Sequence, residues 1–187
     1  MKKNSVQLKL LICTLVFSVS FLGNSTISSF AANKYLSVPA YNQLPKYDSL
    51  CWATSASMIT SYFKKDTTDR KVSIAKYIHG STNFNKAGTI YNARDGVTKY
   101  AGKKGYIKSE PLTYKAVQHQ INNNGPIAVG LKHKSGSGGH MVVLRGYDNI
   151  ASTVRYNDPW GAKVKTVTYS YFKNNSSNYW VNSLFYK

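Results

Sequence analysis

The chain has 187 residues, with 25 Lys+Arg against 7 Asp+Glu for a formal net charge of +18. This length suits one domain with a single core, and 15 tyrosines with 3 tryptophans favour an ordered, strand-rich body and exclude a disordered chain. The basic balance draws the protein towards anionic surfaces such as cell-wall polymers, acidic lipids or nucleic acid, but charge alone names no partner. The lysines are scattered, and no nucleic-acid motif or metal-type Cys/His cluster accompanies them, so no specific nucleic acid, metal or cofactor is expected.

Residues 1–31 read as a secretory signal: Lys2, Lys3 and Lys9 precede an apolar run from Leu10 to Leu22, and Ser29 and Ala31 fit cleavage after Ala31, with Ala32 the next choice. The apolar run is short for a membrane span, so the remaining 32–187 is expected to be one secreted domain with no transmembrane segment. Cleavage removes Cys13 and three lysines but no acid, which lowers the net charge from +18 to +15 and leaves Cys51 the only cysteine. A disulfide within the exported chain is then impossible, and a lone exported thiol is easier to understand if it is used.

Leu36-Ser37-Val38-Pro39 reads as a short extended entry, because Pro39 disfavours helix before it. A loop from Tyr41 to Tyr47 leads to a helix opened by Asp48 or Ser49 as N-cap and carried by Trp52, Ala56, Ile59 and Phe63 at helical spacing. Further helices are expected over Arg70 to Ile78 with Asp69 as cap and Gly80 as stop, over Thr89 to Ala101, and over Tyr114 to Asn122, ended by Asn124-Gly125-Pro126. From Pro126 the period becomes that of strands: Ile127 to Leu131, Met141 to Leu144, Thr153 to Tyr156, Val164 to Tyr171 and Trp180 to Tyr186. Helices followed by an antiparallel sheet make an α+β fold, here an N-terminal helical part whose cysteine helix packs on a C-terminal sheet.

With Ser49 as N-cap, Cys51 would stand at the second helical position, where free amides and the helix dipole favour an anion and a thiol ionises below its usual ~8.5. A cysteine becomes an acyl-transfer nucleophile when a histidine takes its proton and a third group orients that histidine. His79, His119 and His133 read as surface residues. His140 differs: Gly136, Gly138 and Gly139 precede it and an apolar strand follows, which puts an imidazole at the lip of a buried strand. Asn157-Asp158-Pro159-Trp160-Gly161 lies across the next predicted hairpin, within reach of that ring. Adjacent residues of an extended segment face opposite ways, so only one of Asn157 and Asp158 can meet His140.

A glutamine upstream of Cys51-Trp52-Ala53, the Gly138-Gly139-His140 run before a strand, and Asp158-Pro159-Trp160-Gly161 together resemble the papain-like cysteine peptidases. Within them the chain is most similar to the compact bacterial secreted, effector and C39-like branch. The resemblance spans Val38 to the C-terminus and implies a papain-like α+β fold. It implies Cys51 as nucleophile, His140 as base and then acid, Asp158 as orienting residue, Gln43 as oxyanion-hole donor and Trp160 as an indole shielding the site. The gap between Gln43 and Cys51 is longer than usual, which leaves Asn42 as a second choice of donor. Some eleven residues separate the cleavage site from Gln43, too few for the inhibitory prodomain of many relatives. The expected activity is endopeptidase hydrolysis of polypeptide through a Cys-His-Asp triad and a thioacyl-enzyme. The alternatives are a cysteine amidase directed at peptidoglycan stem peptides, held to an anionic wall by the basic surface, and a non-catalytic basic binding module.

Overall fold

The computed structural model describes residues 32–136 and 138–187. The expected signal over 1–31 lies outside the described residues, and among those described no helix is long and apolar enough to cross a membrane. The elements run β1 (Asn33–Tyr35), α1 (Cys51–Lys64), α2 (Lys71–His79), α3 (Ile90–Ala101), β2 (Tyr106–Lys108), α4 (Tyr114–Asn122), β3 (Ile127–His133), β4 (Gly139–Asp148), β5 (Thr153–Asp158), β6 (Lys163–Thr168), α5 (Tyr169–Lys173) and β7 (Asn178–Phe185). One antiparallel sheet holds the strands in the order β2-β7-β3-β4-β5-β6, with β1 pairing separately with β4. The architecture is the α+β arrangement expected, helices first and sheet after, with two short strands and one short helix interposed.

Helix α1 is the centre of the molecule. It packs against α2 and α3 and against β3 and β4, and every residue from Trp52 to Ser61 is buried. A helix buried all round needs small or satisfied side chains on every face. Ser57 Oγ donates to Asp69 Oδ1 at 3.0 Å and accepts from Arg70 N at 2.6 Å, while Ser61 Oγ donates to Thr68 O at 2.7 Å. The hydroxyls of Ser55, Ser57 and Ser61 thus replace bonds they would have made to water, while those of Thr54 and Thr60 are buried without a partner; Met58 and Ile59 are fully buried and add ~1.5–3 kcal/mol apiece.

Four local expectations are corrected. The N-cap of α1 is Leu50, which makes no side-chain cap, so Cys51 stands at the first helical position rather than the second. Asp48 and Ser49 are drawn off elsewhere: Asp48 Oδ1 accepts from Ser49 Oγ at 3.0 Å and from Asn85 Nδ2 at 3.1 Å, and Ser49 N donates to Asn85 Oδ1 at 3.3 Å. Arg70, not Asp69, is the N-cap of α2, although Asp69 Oδ1 does accept from Lys71 N at 3.1 Å. The strand expected over Val164 to Tyr171 ends at Thr168, whose hydroxyl accepts from Tyr171 N at 3.3 Å and opens α5. Two histidines expected at the surface are half-buried: His79 lies edge-on to Trp52, with ring centroids 5.4 Å apart, and His133 pairs with Asn178 and lines a hollow with His140.

Candidate active site

Two registers bring the site together. Between β4 and β5, Val143 pairs with Asn157, so Val142 stands opposite Asp158. Side chains two apart on a strand share a face, which makes His140 the diagonal neighbour of Asp158. Between helix and sheet, Ser55 Oγ donates to Met141 O at 3.0 Å, which pins the second turn of α1 to the start of β4. Cys51 precedes Ser55 by four residues and so lies on the same helix face, above Gly139 and His140.

His140 Nε2 donates to Asp158 Oδ1 at 2.7 Å, and the ring's other side engages the half-buried Cys51. With Nε2 committed to the carboxylate, Nδ1 is the nitrogen left for the sulfur. Burial pushes the His140 imidazole down, but hydrogen bonds to Asp158 and Cys51 and the charges of both outweigh it and raise the pKa to about 9. Burial likewise pushes Asp158 up and is outweighed by His140 and Lys165, which hold the carboxyl well below the usual range.

Asp158 is held on every side. Its Oδ1 also accepts from Trp160 N at 2.9 Å, and its Oδ2 accepts from Lys165 Nζ at 2.6 Å. Lys165 is the residue of the site that sequence reasoning missed; its only signal is a lysine at an inward position of β6, where exposure alternates along the strand. Asn157 faces the other way and donates to the carbonyls of Val38 and Pro39, both at 3.0 Å.

Gln43 is buried, and its Nε2 donates to Asp48 O at 2.8 Å while its backbone N donates to Pro159 O at 3.0 Å. One amide hydrogen therefore remains for a ligand in the cleft that Gln43 lines with Cys51 and His140. Asn42, the second choice, is exposed and lines neither hollow beside Cys51; its Oδ1 accepts from Leu44 N at 3.0 Å and Gly161 N at 2.9 Å, which fixes its amide in the loop. Trp160 lines the same cleft but is 51% exposed, so its cover over the carboxylate is partial.

Two hollows meet at Cys51, Gly139 and His140. One, of about 520 Å³, is walled by Gly88, Ile90, Leu131, Met141, Val181 and Asn182. The other, of about 380 Å³, is walled by Gln43, Asp158, Trp160, Lys163 and Lys165. A sulfur beside an imidazole, an oriented carboxylate and two N–H donors, of Gln43 and of the first α1 residue, can support attack on a carbonyl and hold the resulting oxyanion. Among the described residues, no group of three or more His, Cys, Asp or Glu is placed to hold a metal ion.

Comparison with known proteins adds the lineage. The model of the Peptidase_C39 like family matches residues 35–186. Xylellain, a cysteine protease from Xylella fastidiosa, superposes with a TM-score of 0.61 at 13% identity, covering 88% of this chain and 89% of its own. A putative C39-like peptidase from Bacillus anthracis gives 0.59 at 19% identity, covering 84% and 98%. Interpain A, a cysteine protease of Prevotella intermedia, gives 0.56 at 13% identity, covering 84% and 96%. No curated protein matches the chain.

Proposed function

From the premise that this chain belongs to the Peptidase_C39 like family and is a cysteine peptidase, we propose that it is a secreted endopeptidase working through Cys51, His140 and Asp158. The observation that carries this reading is the 2.7 Å contact of His140 Nε2 with Asp158 on one side of a ring whose other side meets the sulfur at the head of α1. In the proposed reaction the proton shared by the pair already sits on His140 Nδ1, and Cys51 Sγ attacks the peptide carbonyl. The Gln43 side chain and the Cys51 N–H hold the oxyanion. The C–N bond breaks as His140 returns that proton to the leaving amine, and water then hydrolyses the thioacyl-enzyme with His140 as base. Endopeptidase action is supported by the hollows on both sides of Cys51, which leave room for chain before and after the scissile bond. Export rests on the leader-like residues 1–31.

The test is incubation of the secreted protein with denatured polypeptide and with purified cell walls under reducing conditions, beside Cys51→Ala. Internal cleavage of the polypeptide that Cys51→Ala lacks supports the reading. Clearing of walls without polypeptide cleavage replaces it with a peptidoglycan amidase, and equal hydrolysis by Cys51→Ala removes the nucleophile.

A further inference from the structure

Asp158 is shared between two cations. Its side chain is 8% exposed, with His140 Nε2 at 2.7 Å from Oδ1 and Lys165 Nζ at 2.6 Å from Oδ2. The lysine arrives by register: Asp158 pairs with Lys163 across the β5–β6 ladder, and Lys165, two residues on, lies diagonally on the same face. Because β6 closes one edge of the sheet, a lysine there, its side chain 42% exposed, also discourages strand addition. That role asks only for a charge on the edge strand. It does not ask for a short bond to the carboxylate that orients His140.

We infer that Lys165 is a positioning residue of the active site, which locks the Asp158 carboxylate by its second oxygen and limits how strongly that carboxylate holds the proton of His140. The inference rests on the proposed triad and goes beyond it. The lock is geometric: with Trp160 N and His140 on Oδ1 and Lys165 on Oδ2, rotation of the carboxylate breaks a bond at whichever oxygen moves. The limit is electrostatic: a cation on the far oxygen offsets part of the negative charge that stabilises the imidazolium, so removing it raises the pKa of His140. The other charged or titratable groups at the ring's surroundings are Cys51 from α1, Asp48 from the loop before it, Tyr91 from α3, Lys132 and His133 from β3, Tyr156 from β5 and Lys163 from β6. All of these are present in every Lys165 variant, so a shift between those variants reports Lys165.

The experiment measures kcat/KM from pH 5 to 10.5 for the wild type, Lys165→Met, Lys165→Arg, Asp158→Ala and the double variant Lys165→Met/Asp158→Ala, with thermal melts of each. Lys165→Met is expected to lower kcat at least about fivefold and to move the alkaline limb upward by about half a pH unit. Lys165→Arg keeps the charge and is expected to restore the limb and most of the rate. The double variant is expected to be no slower than Asp158→Ala, because the lysine acts through the carboxylate. A Lys165→Met enzyme with a lower Tm but an unmoved limb and rate overturns the inference and leaves edge protection as its role. If Lys165→Met stays fully active while Asp158→Ala is dead, the triad stands and the lysine is inert. An active Asp158→Ala overturns the triad itself, and the inference with it.

Discussion

Asn157 and Asp158 are consecutive in β5 and turned to opposite faces, Asn157 onto the carbonyls of Val38 and Pro39 at 3.0 Å and Asp158 onto His140 Nε2 at 2.7 Å. The amide fastens the entry segment to the sheet, while the carboxylate orients the imidazole. Their replacement is therefore expected to separate stability from turnover.

Asp158→Ala is expected to lower kcat at least about tenfold, which is ~1.4 kcal/mol of transition-state stabilisation, with KM little changed. Asp158→Asn should fall between, because its carbonyl still accepts from the ring while the charge that balances an imidazolium is lost. Asn157→Ala removes a fully buried amide and leaves two carbonyls unpaired, so it is expected to cost ~1–3 kcal/mol of stability while folded molecules keep their rate. Steady-state kinetics beside thermal melts distinguish the pair. An inactive Asn157→Ala with an active Asp158→Ala would reverse the assignment.

The pH dependence follows from the two shifted groups. His140, raised to about 9 from 6.5, contributes stability that is complete below its unfolded value and is lost as pH rises through about 9. Asp158 is depressed, so its contribution is present above the unfolded carboxyl value of ~3.9 and is lost as pH falls below it. If His140 acts as proposed, the alkaline limb of kcat/KM is expected near pH 9, where the ring loses the proton meant for the leaving amine. A limb at the ordinary histidine value, near ~6.5, would mean that the carboxylate and sulfur do not hold that proton.

The parts that were legible in the sequence are those specified locally. Helix α4 has the expected bounds, because Thr113 caps it by accepting from Ala116 N at 3.2 Å and the Asn-Gly-Pro turn follows. Cys51, His140 and Asp158 each sit in a short run of distinctive residues, and the strand register then brings them together. What escaped depends on distant partners. Asp48 looks like a helix cap until Asn85, 37 residues away, takes its carboxylate. Strands β1 and β2 have three residues each, too few to display a period. Lys165 becomes part of the site only through the pairing of β5 with β6, and in sequence it is one lysine among many.

The wall of the larger hollow has a defined tolerance at Gly88. A Cβ there would lie 2.4 Å from the ring carbons of Trp52, whose indole is fully buried and donates from Nε1 to Lys86 O at 2.9 Å. The ring is enclosed, so the largely exposed loop from Lys86 to Gly88 must shift instead. Gly88→Ala is expected to cost ~1–3 kcal/mol by overpacking, and to raise KM by displacing the wall beside Cys51. Gly80→Ala is the control: it meets no atom within 4 Å but sits at φ +89, so its cost is backbone strain remote from the cleft, with KM unchanged. Thermal melts and KM for a peptide substrate check both. An unchanged melt for Gly88→Ala would show that the Trp52 contact is softer than its geometry.

Outside the proposed triad, Gln43 is the residue whose loss should cost the reaction most for the least loss of fold. Its Nε2 donates one hydrogen to Asp48 O at 2.8 Å and keeps the other for the cleft, but its Oε1 is buried without a partner. Truncation leaves the Asp48 carbonyl unpaired and at the same time removes that unpaired oxygen, two terms of ~1–3 kcal/mol that oppose each other. The melting temperature of Gln43→Ala is therefore expected to stay close to that of the wild type. Its kcat is expected to fall about a hundredfold or more, on the order of 2.7–4 kcal/mol, because the lost donor acts on an oxyanion that exists only in the transition state. Gln43→Glu keeps the shape and removes the donor while adding an anion where negative charge develops, so it should be slower than Gln43→Ala and not merely equal to it. The backbone bond from Gln43 N to Pro159 O, 3.0 Å, survives both changes and keeps the neighbouring Asp158 in place, so the alkaline limb set by His140 should not move in Gln43→Ala and should move upward in Gln43→Glu, whose anion shares the cleft with the imidazolium. Pre-steady-state acylation rates with an ester and an amide substrate measure the effect directly. A Gln43→Glu enzyme as fast as the wild type would exclude this side chain from the oxyanion hole and leave the α1 amide as its donor.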